Sequence, residues 1–116
     1  MDLTQELSQL LNGLKDGSQK FADTLALIDR HYDYTPAEFY NGEQHNPAGT
    51  NEGSCKVLCF GKLNDLTQVD TLKLFGEHYE AVTKNPAGSD HSNIREFMEN
   101  NWHGVRFTTC PLKLKA

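Results

Sequence analysis

The sequence has no long apolar run, few basic residues and only three cysteines, and each shortage excludes a class of protein. No apolar stretch approaches the roughly 20 residues of a membrane-spanning helix, so we expect no membrane span. The 11 Lys and Arg face 16 Asp and Glu and form no basic stripe, which argues against nucleic acid as a partner. The acidic, polar start is unlike a cleavable secretory signal. We therefore expect a protein made in the cytosol that does not leave by the general export route.

The cysteines are Cys55, Cys59 and Cys110, an odd number that cannot all pair within one chain. Free thiols and no intramolecular disulfide are predicted. The spacing of Cys55 and Cys59 fits neither a CxxC redox motif nor a zinc knuckle, so no metal site is predicted. No cofactor is predicted either, since the sequence has no Gly-rich phosphate loop, nucleophile elbow or HExxH motif.

Length and composition predict a single domain that covers residues 1–116. The expected class is α+β but mainly α, with about five helices and a short antiparallel β element. Apolar residues recur at helical spacing in each predicted helix. The predicted helices are residues 3–12, 18–32, 54–63, 68–83 and 91–100.

Two local signals compete in residues 34–46. Thr35-Pro36 is typical of a helix start, whereas Asn41-Gly42 is typical of a tight hairpin turn. We favour the hairpin, with strand at 39–45. A second extended stretch is expected at 104–109, where apolar residues alternate.

One short motif occurs twice, as Asn46-Pro47-Ala48-Gly49 and as Asn85-Pro86-Ala87-Gly88. Each copy is a Pro-Gly turn followed by two residue types that commonly cap helices. Both copies are therefore predicted to start a helix.

Cys55 follows Gly53-Ser54 at a predicted helix start and precedes Lys56. A thiol in that position can have a lowered pKa and act as a nucleophile, with His91 beside Asp90 as its base. The other interpretation is that Cys55 is a small buried residue. A catalytic pair of Cys55 and His91 is thus one hypothesis for a small enzyme or thiol sensor.

Asn93 and Arg95 lie in the first turns of the last predicted helix, where backbone N–H groups and a guanidinium can hold a carboxylate or phosphate. The alternative is a capping cluster with a surface ion pair. We hypothesise that this helix start and the one near Ser54 converge on a polar cleft for an anionic ligand. The competing interpretation is that the two turns serve only to start the helices that follow them. The candidate binding residues are Asn51, Ser54, Lys56, His78, Asn93, Arg95 and Trp102.

Several motifs occur in the order found in one known family. They are Asp29-Arg30-His31-Tyr32-Asp33-Tyr34-Thr35-Pro36, Phe39-Tyr40-Asn41-Gly42, Asn51-Glu52-Gly53-Ser54-Cys55-Lys56, Leu74-Phe75-Gly76-Glu77-His78-Tyr79, Asp90-His91-Ser92-Asn93-Ile94-Arg95-Glu96-Phe97 and Trp102-His103-Gly104-Val105-Arg106-Phe107. Over about residues 3–112 the chain resembles the HopJ type III effector family. It departs from the family pattern at Asn101, where members usually carry Gly; Asn tolerates the same left-handed conformation.

The resemblance implies a small bacterial protein of unknown biochemical function, without an established activity, substrate or cofactor. It implies a location in the bacterial cytoplasm, with two alternatives: secretion by a type III system that needs no cleaved signal, or a housekeeping role in the cytosol. The leading interpretation is a protein that acts by binding, with either a protein partner or a small anionic ligand. The alternative is the enzyme or thiol sensor built on Cys55 and His91.

Overall fold

Helices form most of the chain in the computed structural model, which describes residues 2–115. Within these residues the helices are α1 (Leu3–Asp16), α2 (Phe21–His31), α3 (Glu52–Leu63), α4 (Gln68–Lys73), α5 (Glu77–Lys84) and α6 (Ser92–Asn100). The strands are β1 (Tyr32–Tyr34), β2 (Phe39–Asn41), β3 (Gln44–Asn46), β4 (Val105–Phe107) and β5 (Leu112–Leu114), and a 3-10 turn covers Asn101–Gly104. The predicted class, mainly helical with a short antiparallel β element, is confirmed.

The three-stranded sheet has the order β3-β2-β4, and both of its pairings are antiparallel. The hairpin of β2 and β3 is the one that the sequence favoured, but its turn residues are Gly42 and Glu43. Asn41 is the last residue of β2, and its side chain is fully buried. Gly42 has φ 60°, a conformation that favours glycine, so the turn lies one residue later than predicted.

A second antiparallel pair joins β1 to β5, with Tyr32 opposite Leu114 and Tyr34 opposite Leu112. The predicted helix 18–32 therefore ends at His31, and the chain continues directly into strand. The aromatic, half-buried stretch that follows pairs with the far end of the chain. Helical periodicity alone could not reveal that partner.

The predicted helix 68–83 is in fact two helices, α4 and α5, which is why six helices replace the expected five within the described residues. The chain breaks at Gly76, which has φ 58° and ψ −127°. A Cβ at this position would lie 2.9 Å from the backbone nitrogen of Phe21. Close approach of the start of α2 therefore ends the helix, although the apolar stripe runs on.

Helix α3 is the centre of the core, and α2, α4 and β5 pack against it. Its residues Val57, Leu58 and Phe60 are fully buried, and Phe39 and Phe97 complete the surrounding shell. Each such side chain stabilises the fold by about 1.5–3 kcal/mol through removal of apolar surface from water. A helix enclosed on this scale has little amphipathic character, and only its two ends reach the surface, at Glu52 and at Lys62 and Leu63.

Helix α1 begins with a capping box of Asp2 and Gln5 and continues past the predicted end at residue 12, through Gly13 to Asp16. Gly17, at φ 85°, ends it in the left-handed conformation that glycine adopts readily. Within residues 2–115, no helix is long and apolar enough to cross a membrane.

Candidate functional site

The starts of α2, α3, α5 and α6 come together around a row of three rings. The ring of His78 lies 4.8 Å from that of Phe21 and 5.1 Å from that of His91, measured between centroids. Gly53 also packs against Phe21, where a Cβ would lie 3.0 Å from the ring. We call Phe21, Gly53, His78 and His91 the helix-start cluster. The two helix starts near Ser54 and His91 therefore do lie on one side of the molecule.

The starts of α3 and α6 are also joined by amide side chains, of which those of Asn41, Asn46 and Asn93 are buried. Asn46 Oδ1 accepts hydrogen bonds from Asn51 Nδ2 at 2.7 Å and from Asn93 Nδ2 at 2.9 Å. Asn46 Nδ2 donates back to Asn93 Oδ1, and Asn41 Nδ2 donates to the Asn93 carbonyl at 2.7 Å. These four residues, the asparagine network, tie two strands to two helix starts. Their amide groups serve the fold, so the predicted role of Asn51 and Asn93 in holding a ligand gains no support from their side chains.

The two Asn-Pro-Ala-Gly turns both precede helices, as predicted, but neither helix is capped as expected. The N-cap residues are Asn51 and His91, at φ 49° and 50°, and neither side chain bonds the helix start. Both adopt the left-handed conformation, which Asn and His tolerate better than most residues. The amide of Asn51 binds Asn46 and the ring of His91 packs on His78, which turns both side chains away from capping.

Arg95 contacts the second Asn-Pro-Ala-Gly turn, and nearly all the N–H donors of its guanidinium are hydrogen-bonded there. It donates to the carbonyls of Asp90, Pro86 and Asn85 at 2.6 to 3.1 Å and to the Asp90 carboxylate at 2.6 Å. The same guanidinium holds the pKa of Asp90 below its usual range. Arg95 therefore fixes the 85–90 loop, and one N–H at most is left for an external anion.

Cys55 lies in different surroundings from His91. Its Sγ is 3.9 Å from the carbonyl oxygen of Ala37, and only 2% of the residue is exposed. Burial raises the pKa of this thiol to about 11, the opposite of what a nucleophilic cysteine needs. His91 contacts His78 and Asp90. The geometry thus offers no support for a catalytic pair of Cys55 and His91.

The remaining candidates are divided between two ends of α3. Ser54 is half-buried in the first turn, close to the helix-start cluster. Lys56 turns away toward α2, where its Nζ binds Asp29 at 2.9 Å and lies over the Tyr34 ring. Trp102 packs near Gly61, about 12 Å along the helix from Gly53, and its Nε1 donates to the Leu66 carbonyl. Lys56 and Trp102 therefore do not share a site with His78.

A cleft of about 270 Å³ lies on the neighbouring face of α5 and is bounded by the end of α1 and the start of α2. Leu14 and Tyr79 contribute apolar surface to it, and lysines stand along its rim. The rim lysines are Lys15, Lys20 and Lys73. Of these, Lys73 is 3.8 Å from Asp70, a weak pairing.

Glu77 supplies a carboxylate between the cleft and the cluster. Its Oε1 accepts the backbone N–H of Phe21 at 2.7 Å, so the start of α2 holds this carboxylate through a main-chain donor. That hydrogen bond lowers the pKa of Glu77. The other acid of this face, Glu80, binds Lys84 at 2.9 Å. Both acids of α5 are thus engaged within the protein.

Sequence reasoning missed Phe21, Asn46 and Glu77 as parts of this region. From the sequence, Phe21 was interpreted as one residue of an apolar stripe. Asn46 was interpreted as the first residue of a turn. The one available signal was the spacing Gly76-Glu77-His78, a glycine followed by two ionisable residues inside a predicted helix. Such a glycine is often a break where another segment approaches.

Comparison with known proteins agrees with this description of the fold. The model of the HopJ type III effector protein family matches residues 6–112. The crystal structure of the unknown function protein VPA0580 is similar to this chain, with 43% identity and a TM-score of 0.90. That similarity covers 99% of this chain and 95% of the other. No curated protein matches the chain.

The fold and the arrangement of the helix starts define a small, mainly helical α+β domain. The chain belongs to the HopJ type III effector family. The resemblance on which the sequence interpretation rested is thereby confirmed, and the structural relative carries no assigned function.

Proposed function

We propose that this protein acts by binding a partner, and that the helix-start cluster together with the lysine-rimmed cleft receives an acidic segment of that partner. The observation that carries the proposal is the row of Phe21, His78 and His91, which gathers the starts of α2, α3, α5 and α6. The ligand class follows from this arrangement and not from any single side chain.

Helix starts favour negative charge because their first N–H groups have no partner within the helix and the helix dipole is positive there. Glu77 already shows this chemistry inside the protein, since its carboxylate accepts the Phe21 N–H at 2.7 Å. An external carboxylate beside His78 and His91 would meet imidazole N–H donors and the same positive dipole ends. The half-buried His78 and exposed His91 are accessible for this contact.

The cleft beside the cluster makes the proposed site large enough to bind a segment that is longer than a single anionic group. Lys15 and Lys20 are exposed on its rim, and Leu14 and Tyr79 offer apolar surface below. A segment that alternates acidic and apolar residues would match both features. The whole chain carries a net charge of −5, so an acidic segment would be attracted only where lysines gather, as they do on this rim.

Calorimetric titration with an acidic peptide of six glutamates tests the proposal, with a peptide of six glutamines as the neutral control. We expect the acidic peptide to bind and the neutral peptide not to bind. Binding of the acidic peptide should weaken as the salt concentration is raised. His91→Ala and Lys20→Ala should each weaken binding by about fivefold, the size of a partly exposed charged contact. The matched controls His103→Ala and Lys113→Ala, at exposed positions outside the site, should leave it unchanged. Equal binding of the neutral peptide, or equal losses in the control variants, would overturn it.

We further propose that the protein is made in the bacterial cytoplasm and exported by a type III system with its N-terminus uncleaved. Membership of the HopJ family supports this route. The test is the full chain fused to a translocation reporter, in matched strains with and without a working type III apparatus. Export that persists without the apparatus, or a shortened exported chain, contradicts the route.

A further inference from the structure

The sulfur atoms of Cys59 and Cys110 lie 3.8 Å apart, although 51 positions separate the two residues in the chain. Cys59 is on α3 and is 2% exposed, whereas Cys110 is exposed in the loop between β4 and β5. Both thiols border a cavity of about 280 Å³, whose other lining residues are Lys62, Leu63, Phe107, Thr108 and Thr109. A buried and an exposed thiol thus share one opening to solvent.

We propose that Cys59 and Cys110 are a modification site, which a small-molecule disulfide of the glutathione type converts to an intramolecular disulfide bridge. The reduced pair is the resting form, in agreement with the free thiols of all three cysteines. This inference is independent of the partner site, because the thiol pair lies at the C-terminal half of α3, whereas Gly53 is at its start.

The two thiols have distinct parts in the reaction. The thiolate of exposed Cys110 attacks one sulfur of the small disulfide, the S–S bond breaks, and one small thiolate leaves. Cys59 then gives up its proton to that thiolate and attacks the sulfur of Cys110, which expels the second small thiolate. Two protein thiols are oxidised and one small disulfide is reduced to two thiols, so atoms and electrons balance.

The order of attack follows from exposure. Burial, together with the neighbouring Cys110 sulfur, raises the pKa of the Cys59 thiol, so Cys59 reacts poorly with reagents in solution. It lies next to the Cys110 sulfur, so the second step needs no diffusion. Cys110 lies in the short loop between β4 and β5, and bridge formation requires the two sulfur atoms to close from 3.8 Å to about 2.0 Å.

Cys55 does not take part. Its sulfur faces the carbonyl oxygen of Ala37, and it is as buried as Cys59. Cys55→Ser therefore serves as the matched control for the other two cysteine variants.

The test is oxidation of the reduced, full chain with glutathione disulfide, followed by intact mass and a peptide map under non-reducing conditions. The unmutated chain and Cys55→Ser should lose two hydrogen atoms, about 2 Da, with the bridge mapped to Cys59 and Cys110. Cys59→Ser should stop at a mixed disulfide on Cys110, and Cys110→Ser should remain reduced over the same time. A bridge to Cys55, or no mass loss in the unmutated chain, overturns the proposal. The map of the unmutated chain decides the question even where a variant does not fold.

Discussion

Asn93 at the start of α6 and Asn46 at the end of β3 exchange hydrogen bonds in both directions, at 2.9 and 3.2 Å. Both side chains are almost fully buried. Because Asn46 also accepts from Asn51, this one amide sets the distance between the two helix starts on which the proposed site depends.

Replacement of Asn46 should therefore destabilise the fold. Asn46→Ala leaves the amide groups of Asn51 and Asn93 without their acceptor, and we expect a loss of about 3 kcal/mol in the free energy of unfolding. Urea unfolding followed by circular dichroism measures it. The control Asn12→Ala, on the exposed face of α1, should change the free energy by no more than about 0.5 kcal/mol. Equal effects of the two variants would mean that the asparagine network contributes nothing.

Gly76 and Gly17 can be compared to test the break between α4 and α5; their ψ angles are −127° and 1°. Both have positive φ, but an added Cβ meets the Phe21 backbone at 2.9 Å at position 76 and meets nothing within 4 Å at position 17. Gly17→Ala should cost about 1 kcal/mol through backbone conformation alone. Gly76→Ala should cost about 3 kcal/mol, since the start of α2 must also move. Thermal unfolding of both variants compares them, and similar losses would show that the close approach has no energetic weight.

The hydrogen bond from Phe21 to Glu77 should make stability depend on pH. The pKa of Glu77 is lowered in the folded protein, so its contribution is present above the unfolded pKa and is lost as pH falls through the folded one. Unfolding free energies of the unmutated chain and Glu77→Gln should thus differ at about pH 6 and converge toward about pH 3. Glu99→Gln, at an exposed position of α6, is the control and should show no such convergence. A constant difference across this range contradicts the prediction.

The cysteines should differ sharply in their reactivity. With its pKa raised to about 11, Cys55 is a thiolate in about one molecule in a thousand at pH 8. We expect maleimide to label Cys110 first and to reach Cys55 and Cys59 only as the protein opens. Pulse labelling with peptide mass analysis gives the order. Rapid labelling of Cys55 in the folded chain would revive the hypothesis of a nucleophilic cysteine.

The disulfide bridge proposed for Cys59 and Cys110 should raise thermal stability, because it constrains the unfolded chain over a long loop. A gain of about 8 °C in the unfolding midpoint is expected on oxidation. Differential scanning calorimetry of the reduced and bridged forms measures it, and Cys110→Ser should show no change under the same oxidant.

Local patterns predicted the helices well because the helical spacing of apolar residues is visible within a short segment of the sequence. The break at Gly76 and the strand after His31 were not predictable in this way. Each depends on a segment distant in the chain, Phe21 in the first case and Leu112–Leu114 in the second. Periodicity carries no information about such partners.

In the candidate site, too, some features could be predicted from the sequence and others depend on the fold. His78 and His91 were singled out for their chemistry, and the structure brings their rings together. Arg95 and Lys56 were chosen by the same reasoning, yet both are engaged with neighbouring groups of the protein. Sequence shows which side chains can bind an anion, whereas the fold decides which of them are already occupied.

The most direct test of the central claim is a ¹H–¹⁵N correlation titration of the full chain with the six-glutamate peptide. We predict saturable shifts of the amides of Phe21, Gly53, His78 and His91, with smaller shifts along the lysine rim of the cleft. Amides around Trp102 and in β5 should stay in place. Shifts spread evenly over the surface, shifts centred on another face, or none at peptide concentrations near 1 mM, about the weakest specific affinity of interest, would contradict the account.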